Sequence, residues 1–210
     1  MKLWERLKKP KFYLKGVATY LPDSVARYLP QHQPQFRGVG IRKYEGARDA
    51  APGLYTSWMR TLIVLHQQGV WGSIKNVAEI GPGDSLGVGL SAMLSGADSF
   101  LALDAVPTAY NFNNEEIFEE LVTLFKRRAP LLNEEESPKQ RPRLSSYDFP
   151  GYILTDEKLK QFLAEDRLEK IRAAIRAKGH QEKGESGKIS INYSVPWDTA
   201  TAIKEHQRSI

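Results

Sequence analysis

The stretch that decides the fold is Val77-Ala-Glu-Ile-Gly-Pro-Gly-Asp-Ser-Leu-Gly87, in which a short apolar run ends at a glycine turn. The run, from about Lys75 to Ile80, has the length and apolar character of a buried parallel strand. Asp84 or Ser85 is placed to cap a following helix that ends near residue 96. A strand that turns into a helix through glycines exposes backbone N–H groups to any ligand bound there.

Regular segments on both sides of this stretch extend the same pattern. Apolar residues at spacings of three and four predict a helix over 54–68, and a short apolar run predicts a second strand over 99–104. A helix over 115–128 follows, and alternating apolar and polar residues predict a last strand over 188–195. Strands that alternate with helices indicate an α/β fold, with a parallel sheet and right-handed crossovers.

Two regions lie outside this pattern. Residues 1–50 form a basic, irregular N-terminal segment, and 51–210 hold the α/β domain. Residues 129–187 resemble an insertion, with a proline-rich first half and a second half that is helical from about 155 to 177. The charge density of this helical half predicts a solvated face, with a binding surface as the alternative.

The overall composition limits the class of protein. Thirty basic and 25 acidic residues among 210 give a net charge of +5, which is weak evidence for an anionic partner and does not indicate nucleic acid. The chain has no cysteine, which excludes disulfides and thiolate metal sites. No apolar run approaches the ~20 residues of a membrane span, and the N-terminus lacks a secretory signal. We therefore expect a soluble, cytoplasmic protein.

The first fifteen residues combine basic and aromatic side chains. Six lysines and arginines stand against a single Glu5, and Trp4, Phe12 and Tyr13 are interleaved with them. One interpretation is peripheral contact with anionic lipid or with a phosphate-bearing substrate. The other is a solvated arm whose aromatic residues pack on the body of the protein, which Pro10 favours because it interrupts a long amphipathic helix.

The spacing of the glycines restricts the ligand of the turn. A dinucleotide fingerprint needs a third glycine three positions after the second, where this chain has Leu86. An acidic residue, Glu79, stands two positions before the first glycine, and the predicted second strand ends at Asp104. Asp104 is placed to accept hydrogen bonds from the hydroxyls of a ribose. Its alternative role is that of a turn or helix-cap residue.

The segment Glu79-Ile-Gly-Pro-Gly-Asp-Ser85 resembles the acidic-x-Gly-x-Gly loop of class I S-adenosylmethionine-dependent methyltransferases, which are Rossmann-like proteins. Ser85 replaces a third glycine that some members carry. Three further segments are similar to methyltransferases found with surface-polysaccharide genes: Tyr55-Thr-Ser-Trp-Met-Arg60, Ser146-Tyr-Asp-Phe-Pro150 and Tyr193-Ser-Val-Pro-Trp-Asp198.

This resemblance implies S-adenosylmethionine as the cofactor. Gly81 and Gly83 would line its methionine portion, Asp104 would hold the ribose, and Glu79 would orient the loop or reach the methionine amino group through water. Arg60 would neutralise the cofactor carboxylate or form a surface salt bridge, and Trp197 would contact adenine or pack in the core. The implied binding residues are Arg60, Glu79, Gly81, Pro82, Gly83, Asp84, Asp104, Ala105, Val106, Trp197 and Asp198.

The resemblance does not identify the methyl acceptor. Its extension to the surface-polysaccharide group implies a glycan or another hydroxyl acceptor. The four histidines show no convergent spacing, so no general base is assigned, and Glu134-Glu-Glu136 lacks partner ligands for a metal. The family has a seven-stranded sheet, of which this chain supplies three strands, so the first strand would lie at an open edge. We therefore expect the N-terminal half of a longer domain, or a partner chain that covers this edge.

Two other functions remain open at this point. The chain could be a non-catalytic Rossmann-like binding module or scaffold that keeps the fold without turnover. A nicotinamide-dependent oxidoreductase is the other alternative, and Leu86 argues against it.

Overall fold

A computed structural model describes residues 47–70, 74–138, 140–177 and 189–197 of the chain. All of them belong to one compact unit, Tyr44–Ile210. Of the basic segment predicted over 1–50, residues 1–46, with the predicted lipid or substrate contact, lie outside the described residues, as does Asp198. Residues 47–50 belong to a helix.

Strands and helices alternate as the sequence predicts. The elements in chain order are α1 (Ala47–Gln67), β1 (Asn76–Ile80), α2 (Gly87–Leu94), β2 (Ser99–Leu103), α3 (Asn114–Lys126), α4 (Asp156–Phe162), α5 (Glu165–Arg176) and β3 (Ser190–Ser194). The predicted α/β class is therefore confirmed.

The three strands form one parallel sheet in the order β1-β2-β3. Its register places Glu79 opposite Ala102, and Ala102 opposite Tyr193. Side chains alternate between the two faces of a sheet, so these three residues share one face. Parallel strands joined through helices give the chain a Rossmann-like arrangement.

Helix α1 begins at Ala47, seven residues before the predicted start, and Pro52 lies inside it. The prediction of the start was wrong because it relied on the apolar repeat, which becomes regular only beyond the proline. Pro52 removes one backbone donor. Ala50 and Ala51 favour helix and are almost completely buried, which offsets this loss.

Helix α2 begins at Gly87, and its N-cap residue is Leu86, which has no side-chain cap. The prediction that Asp84 or Ser85 caps the helix was therefore wrong. Instead, the Leu86 N–H donates to Oδ1 of Asn114 at 2.8 Å, and the Gly87 N–H reaches Oγ of Ser85 at 3.4 Å. Two N–H groups at the start of α2 are therefore bonded by Asn114, 28 residues from Leu86, and by Ser85.

The region predicted as an insertion contributes to the core. Its helical half is two helices, α4 and α5, rather than one, because Ala164 is extended and Glu165 and Asp166 open a new first turn. A Cβ added at Gly96 would meet the Phe162 ring at 2.6 Å, so α4 packs closely on the end of α2. Core residues of the region are Ala129, Leu131, Ile153, Leu154, Leu159, Leu168, Ile171, Ala174 and Ile175.

The two faces of the sheet differ. Phe100, Ala102 and Ile191 are fully buried on the face over which α2 lies, whereas Ala78 and Ile80 on the opposite face are exposed. Within the described residues, β1 pairs with β2 alone, as the prediction of an open edge requires. No helix in these residues is long and apolar enough to cross a bilayer.

Candidate functional site

The candidate site lies at the carboxyl ends of β1 and β2, where ligands bind in open parallel sheets. The glycine turn follows β1, and Asp104 follows β2. The Gly81 N–H donates to the Leu103 carbonyl at 2.8 Å, and the Asp104 N–H donates to the Ser194 carbonyl at 3.0 Å. These bonds extend the ladder past the strand ends, and therefore bring the glycine turn and Asp104 to the same edge.

The turn requires glycine because of its backbone conformation. Gly81 has a φ of 73° and Gly83 a φ of 76°, both in the left-handed region that side chains rarely adopt. A Cβ added at either position would meet nothing within 4 Å. The turn is thus bordered by open space, into which a ligand can come close to the main chain.

The β2–α3 loop, residues 104–113, holds the glycine turn at three points. Oγ1 of Thr108 donates to the Gly83 carbonyl at 2.9 Å. Nδ2 of Asn111 donates to Oδ1 of Asp84 at 2.6 Å, and the Phe112 N–H donates to the Asp84 carbonyl at 3.1 Å. Asp84 therefore connects the glycine turn to the β2–α3 loop through two hydrogen bonds.

Asp104 is 8% exposed and is already engaged within its own turn. Its Oδ1 accepts from the N–H groups of Ala105 at 2.7 Å and Val106 at 3.4 Å. Its Oδ2 accepts from Thr108 at 3.3 Å. These contacts match the alternative role of a turn residue. A carboxylate oxygen has two acceptor positions, so Oδ2 keeps capacity for a ligand hydroxyl.

Glu79 points to the buried face at the end of β1. Its Oε2 is buried and has no hydrogen-bond donor among the described residues. Burial, and to a smaller extent the nearby Asp104 carboxylate, raise the pKa of Glu79 to about 7. A buried carboxyl oxygen without a donor costs free energy, and a ligand cation or donor next to it would relieve this cost.

Three other predicted binding residues, Ala105, Val106 and Trp197, form hydrogen bonds with Asp104. Ala105 and Val106 are exposed, and Pro82 at the glycine turn is half-buried. The N–H of Trp197, past the end of β3, donates to the Asp104 carbonyl at 3.0 Å. Trp197 is half-buried rather than part of the core, so it lies at the same edge as the turn.

Arg60 lies in a different environment from the predicted one. It is fully buried, so the surface salt bridge predicted as one alternative is wrong. Its Nη2 donates to the Leu132 carbonyl at 3.0 Å, its Nη1 donates to the Pro142 carbonyl, and it stacks on the Tyr147 ring at 5.1 Å. These contacts join α1 to the segment 131–147. They give no support to a role at a cofactor carboxylate.

Four residues of the site were missed in the sequence. Thr108 joins the two loops, and Asn114 bridges the Leu86 N–H and the Ala109 carbonyl. The Tyr193 hydroxyl donates to the Val106 carbonyl at 3.1 Å, and the Tyr110 ring packs edge-on against Tyr193. Thr108 and Tyr110 lie in a loop at the carboxyl end of a parallel strand, where function is expected. Tyr193 begins a segment that the resemblance had marked, although it was given no role.

Three features determine what this arrangement can bind: an open glycine turn, a carboxyl group with one buried oxygen that has no donor among the described residues, and a second carboxylate with spare acceptor capacity. No group of three His, Asp or Glu residues in the described residues is arranged to hold a metal ion. Comparison with known proteins found no match to a family model, a curated protein or a solved structure.

Proposed function

We propose that the chain binds S-adenosylmethionine at the glycine turn and serves methyl transfer. The observation that carries this proposal is the buried carboxyl of Glu79 beside a turn with two left-handed glycines. The cofactor has an α-ammonium group, a ribose and a sulfonium, and it would supply an activated methyl group. The methyltransferase type of the Rossmann-like fold belongs to the same proposal.

The charges at the turn favour a cationic ligand group over a phosphate. A pyrophosphate at Gly81 and Gly83 would meet the Glu79 and Asp104 carboxyl groups. The Asp104 carboxylate would repel a phosphate, and Glu79 would be held in its protonated form beside it. An ammonium group would instead be attracted to Asp104 and would favour the ionised form of Glu79. The pair of carboxyl groups therefore favours an amino-acid-bearing nucleoside over a nicotinamide dinucleotide.

The packing of α2 also differs from a dinucleotide site. The position of the third fingerprint glycine is held by Leu86, whose side chain is fully buried. Close contact between helix and sheet comes later, at Gly89, where an added Cβ would lie 2.2 Å from the Phe100 ring. Helix α2 thus packs closely on the sheet at Gly89, although the chain lacks the glycine spacing of the dinucleotide fingerprint.

In the proposed complex, Oδ2 of Asp104 accepts hydrogen bonds from the ribose hydroxyls. Pro82, Gly81 and Gly83 contact the methionine portion, and Ala105 and Val106 flank the adenine. Transfer from a sulfonium is a displacement that depends on holding donor and acceptor in line. A glycan or other hydroxyl acceptor extends this proposal on the basis of family resemblance.

Asp104→Asn tests the ribose contact with S-adenosylhomocysteine as the probe in isothermal titration calorimetry. The substitution keeps the shape but removes charge-assisted hydrogen bonds, so we expect binding to weaken about tenfold to a hundredfold. Glu116→Gln is the matched control, because Glu116 is exposed on α3 and should leave affinity unchanged.

Two outcomes would overturn this proposal. The first is no binding of S-adenosylhomocysteine by the wild-type chain, and the second is equal affinity of wild type and Asp104→Asn. Binding of NADH, followed by its fluorescence, would instead support the oxidoreductase alternative. Transfer of a labelled methyl group to an acceptor would separate an enzyme from a non-catalytic binding module.

A further inference from the structure

Thr108 lies where the two halves of the candidate site meet. Its Oγ1 is 2.9 Å from the Gly83 carbonyl oxygen on the glycine turn and 3.3 Å from Oδ2 of Asp104 on the β2 loop. In the proposed complex, the methionine portion of the ligand contacts the first half and the ribose contacts the second.

Both acceptors compete for a single proton. A threonine hydroxyl carries one O–H donor, so the Thr108 proton is shared between the Gly83 carbonyl and Oδ2 of Asp104. The two carboxylate oxygens of Asp104 differ in the donors that they receive. Its Oδ1 is satisfied by the N–H groups of Ala105 and Val106, whereas Oδ2 has Thr108 alone among the described residues.

The backbone fixes the position of this hydroxyl. The Thr108 N–H donates to the Val106 carbonyl at 2.8 Å, and the Thr108 carbonyl accepts from the Asn111 N–H at 2.9 Å. Asn111 is in turn bonded to Asp84 on the glycine turn. Because Thr108 is held on both sides, its hydroxyl can change acceptor by rotation alone, without movement of the loop.

We infer that Thr108 is a positioning residue whose hydroxyl couples the ribose half of the site to the glycine turn. This inference rests on the proposed function. Ribose hydroxyls that donate to Oδ2 of Asp104 satisfy that oxygen, and the Thr108 proton is then given wholly to the Gly83 carbonyl. Occupation of the ribose half thereby stiffens the turn that receives the methionine half, without any covalent step.

The test compares Thr108→Val with Thr108→Ser by calorimetric titration with S-adenosylhomocysteine. Valine removes the hydroxyl while keeping the branched shape, and we expect about tenfold weaker binding. Serine keeps the hydroxyl and should bind within about twofold of wild type. Thr123→Val is the matched control, because the Thr123 hydroxyl also bonds a backbone carbonyl, that of Glu119, on an exposed helix face.

A double-mutant cycle with Asp104→Asn separates positioning from a general loss of structure. If Thr108 acts through Asp104, the two substitutions together weaken binding by clearly less than the product of their separate fold-changes. If the valine variant does not fold, Thr108→Ala and Thr108→Ser give the same comparison of a side chain without and with the hydroxyl.

The outcomes distinguish this inference from the proposed function. Weak binding by the valine variant, recovery with serine and a coupled cycle support the inference. Wild-type affinity in Thr108→Val, or multiplicative effects in the cycle, overturns it while Asp104→Asn remains impaired and the proposed function stands. Absence of any binding by the wild-type chain overturns both.

Discussion

At the scale of single residues, Glu79 is the group whose environment departs most from that of an ordinary surface carboxyl. Burial and the neighbouring Asp104 raise its pKa from the usual 4.5 to about 7, and its Oε2 finds no donor in the described residues. The folded protein therefore binds the Glu79 proton more tightly than the unfolded chain does. This difference links the free energy of unfolding to pH.

The substitution Glu79→Gln should remove the contribution of Glu79 to the pH dependence of the unfolding free energy. Because the folded pKa lies above the unfolded one, the contribution of Glu79 to stability is fully present below pH 4.5 and is lost as pH rises through 7. Between pH 5 and pH 8 we expect the wild type to lose about 2 kcal/mol of unfolding free energy that Glu79→Gln retains. Urea unfolding of the ligand-free protein at both pH values measures this change in unfolding free energy.

The control for Glu79→Gln is Glu116→Gln, which removes an exposed carboxyl from the first turn of α3 and should follow the wild-type pH dependence. The quantity to compare is the pH dependence of the unfolding free energy in Glu79→Gln and in Glu116→Gln, since the other groups titrate in all three proteins. Parallel stability curves for wild type and Glu79→Gln would show that the Glu79 carboxyl is solvated in the folded protein.

At the scale of secondary structure elements, the sequence predicted what depends on local pattern. The order of strands and helices follows from apolar periodicity and glycine punctuation, and so does the turn at Gly81 and Gly83. The cap of α2 by Asn114 and the bridging role of Thr108 depend on bonds to residues about 25 or more positions away. No local pattern encodes such partners, which explains why the site was predicted only in part.

The burial of the charged Arg60 was likewise not predictable from the local sequence. The helical repeat of α1 places Arg60 among apolar residues, and an arginine there is ordinarily expected at the surface. Two carbonyl groups from the segment 131–147 and the Tyr147 ring offset part of the cost of its complete burial, while its buried Nε has no acceptor among the described residues. Only the folded chain brings these partners to Arg60, since they are more than 70 residues away.

Gly89→Ala tests the contact between α2 and the sheet. Alanine within a helix normally stabilises it by about 1 kcal/mol relative to glycine. Here the added Cβ would lie 2.2 Å from the Phe100 ring, so overpacking should reverse the sign. We expect a net loss of about 1–3 kcal/mol in unfolding free energy, measured by urea denaturation.

Gly151→Ala provides the matched control for this substitution. An added Cβ at Gly151 meets nothing within 4 Å, so we expect a change within about 0.5 kcal/mol. If Gly89→Ala were as stable as wild type, the distance between α2 and β2 would not be fixed by the glycine.

At the scale of the whole molecule, β1 pairs only with β2 among the described residues, and part of one face of the sheet is exposed. Asn76, Ala78 and Ile80 alternate along β1 as its exposed residues, and Ile80 is 70% exposed. An exposed apolar edge strand is a template for pairing with another chain. Coverage of this edge by a partner or by further strands stays a prediction.

Ile80→Lys should reveal how this edge behaves in solution. A lysine on an edge strand opposes pairing with a second chain through its charge, so we expect less light scattering at high protein concentration than for the wild type. Because Ile80 is largely exposed, the unfolding free energy should change by less than about 0.5 kcal/mol. Tyr152→Lys, which alters a 64% exposed aromatic residue outside the sheet, should leave scattering unchanged. Loss of more than about 1 kcal/mol in Ile80→Lys would instead mean that Ile80 is covered in solution.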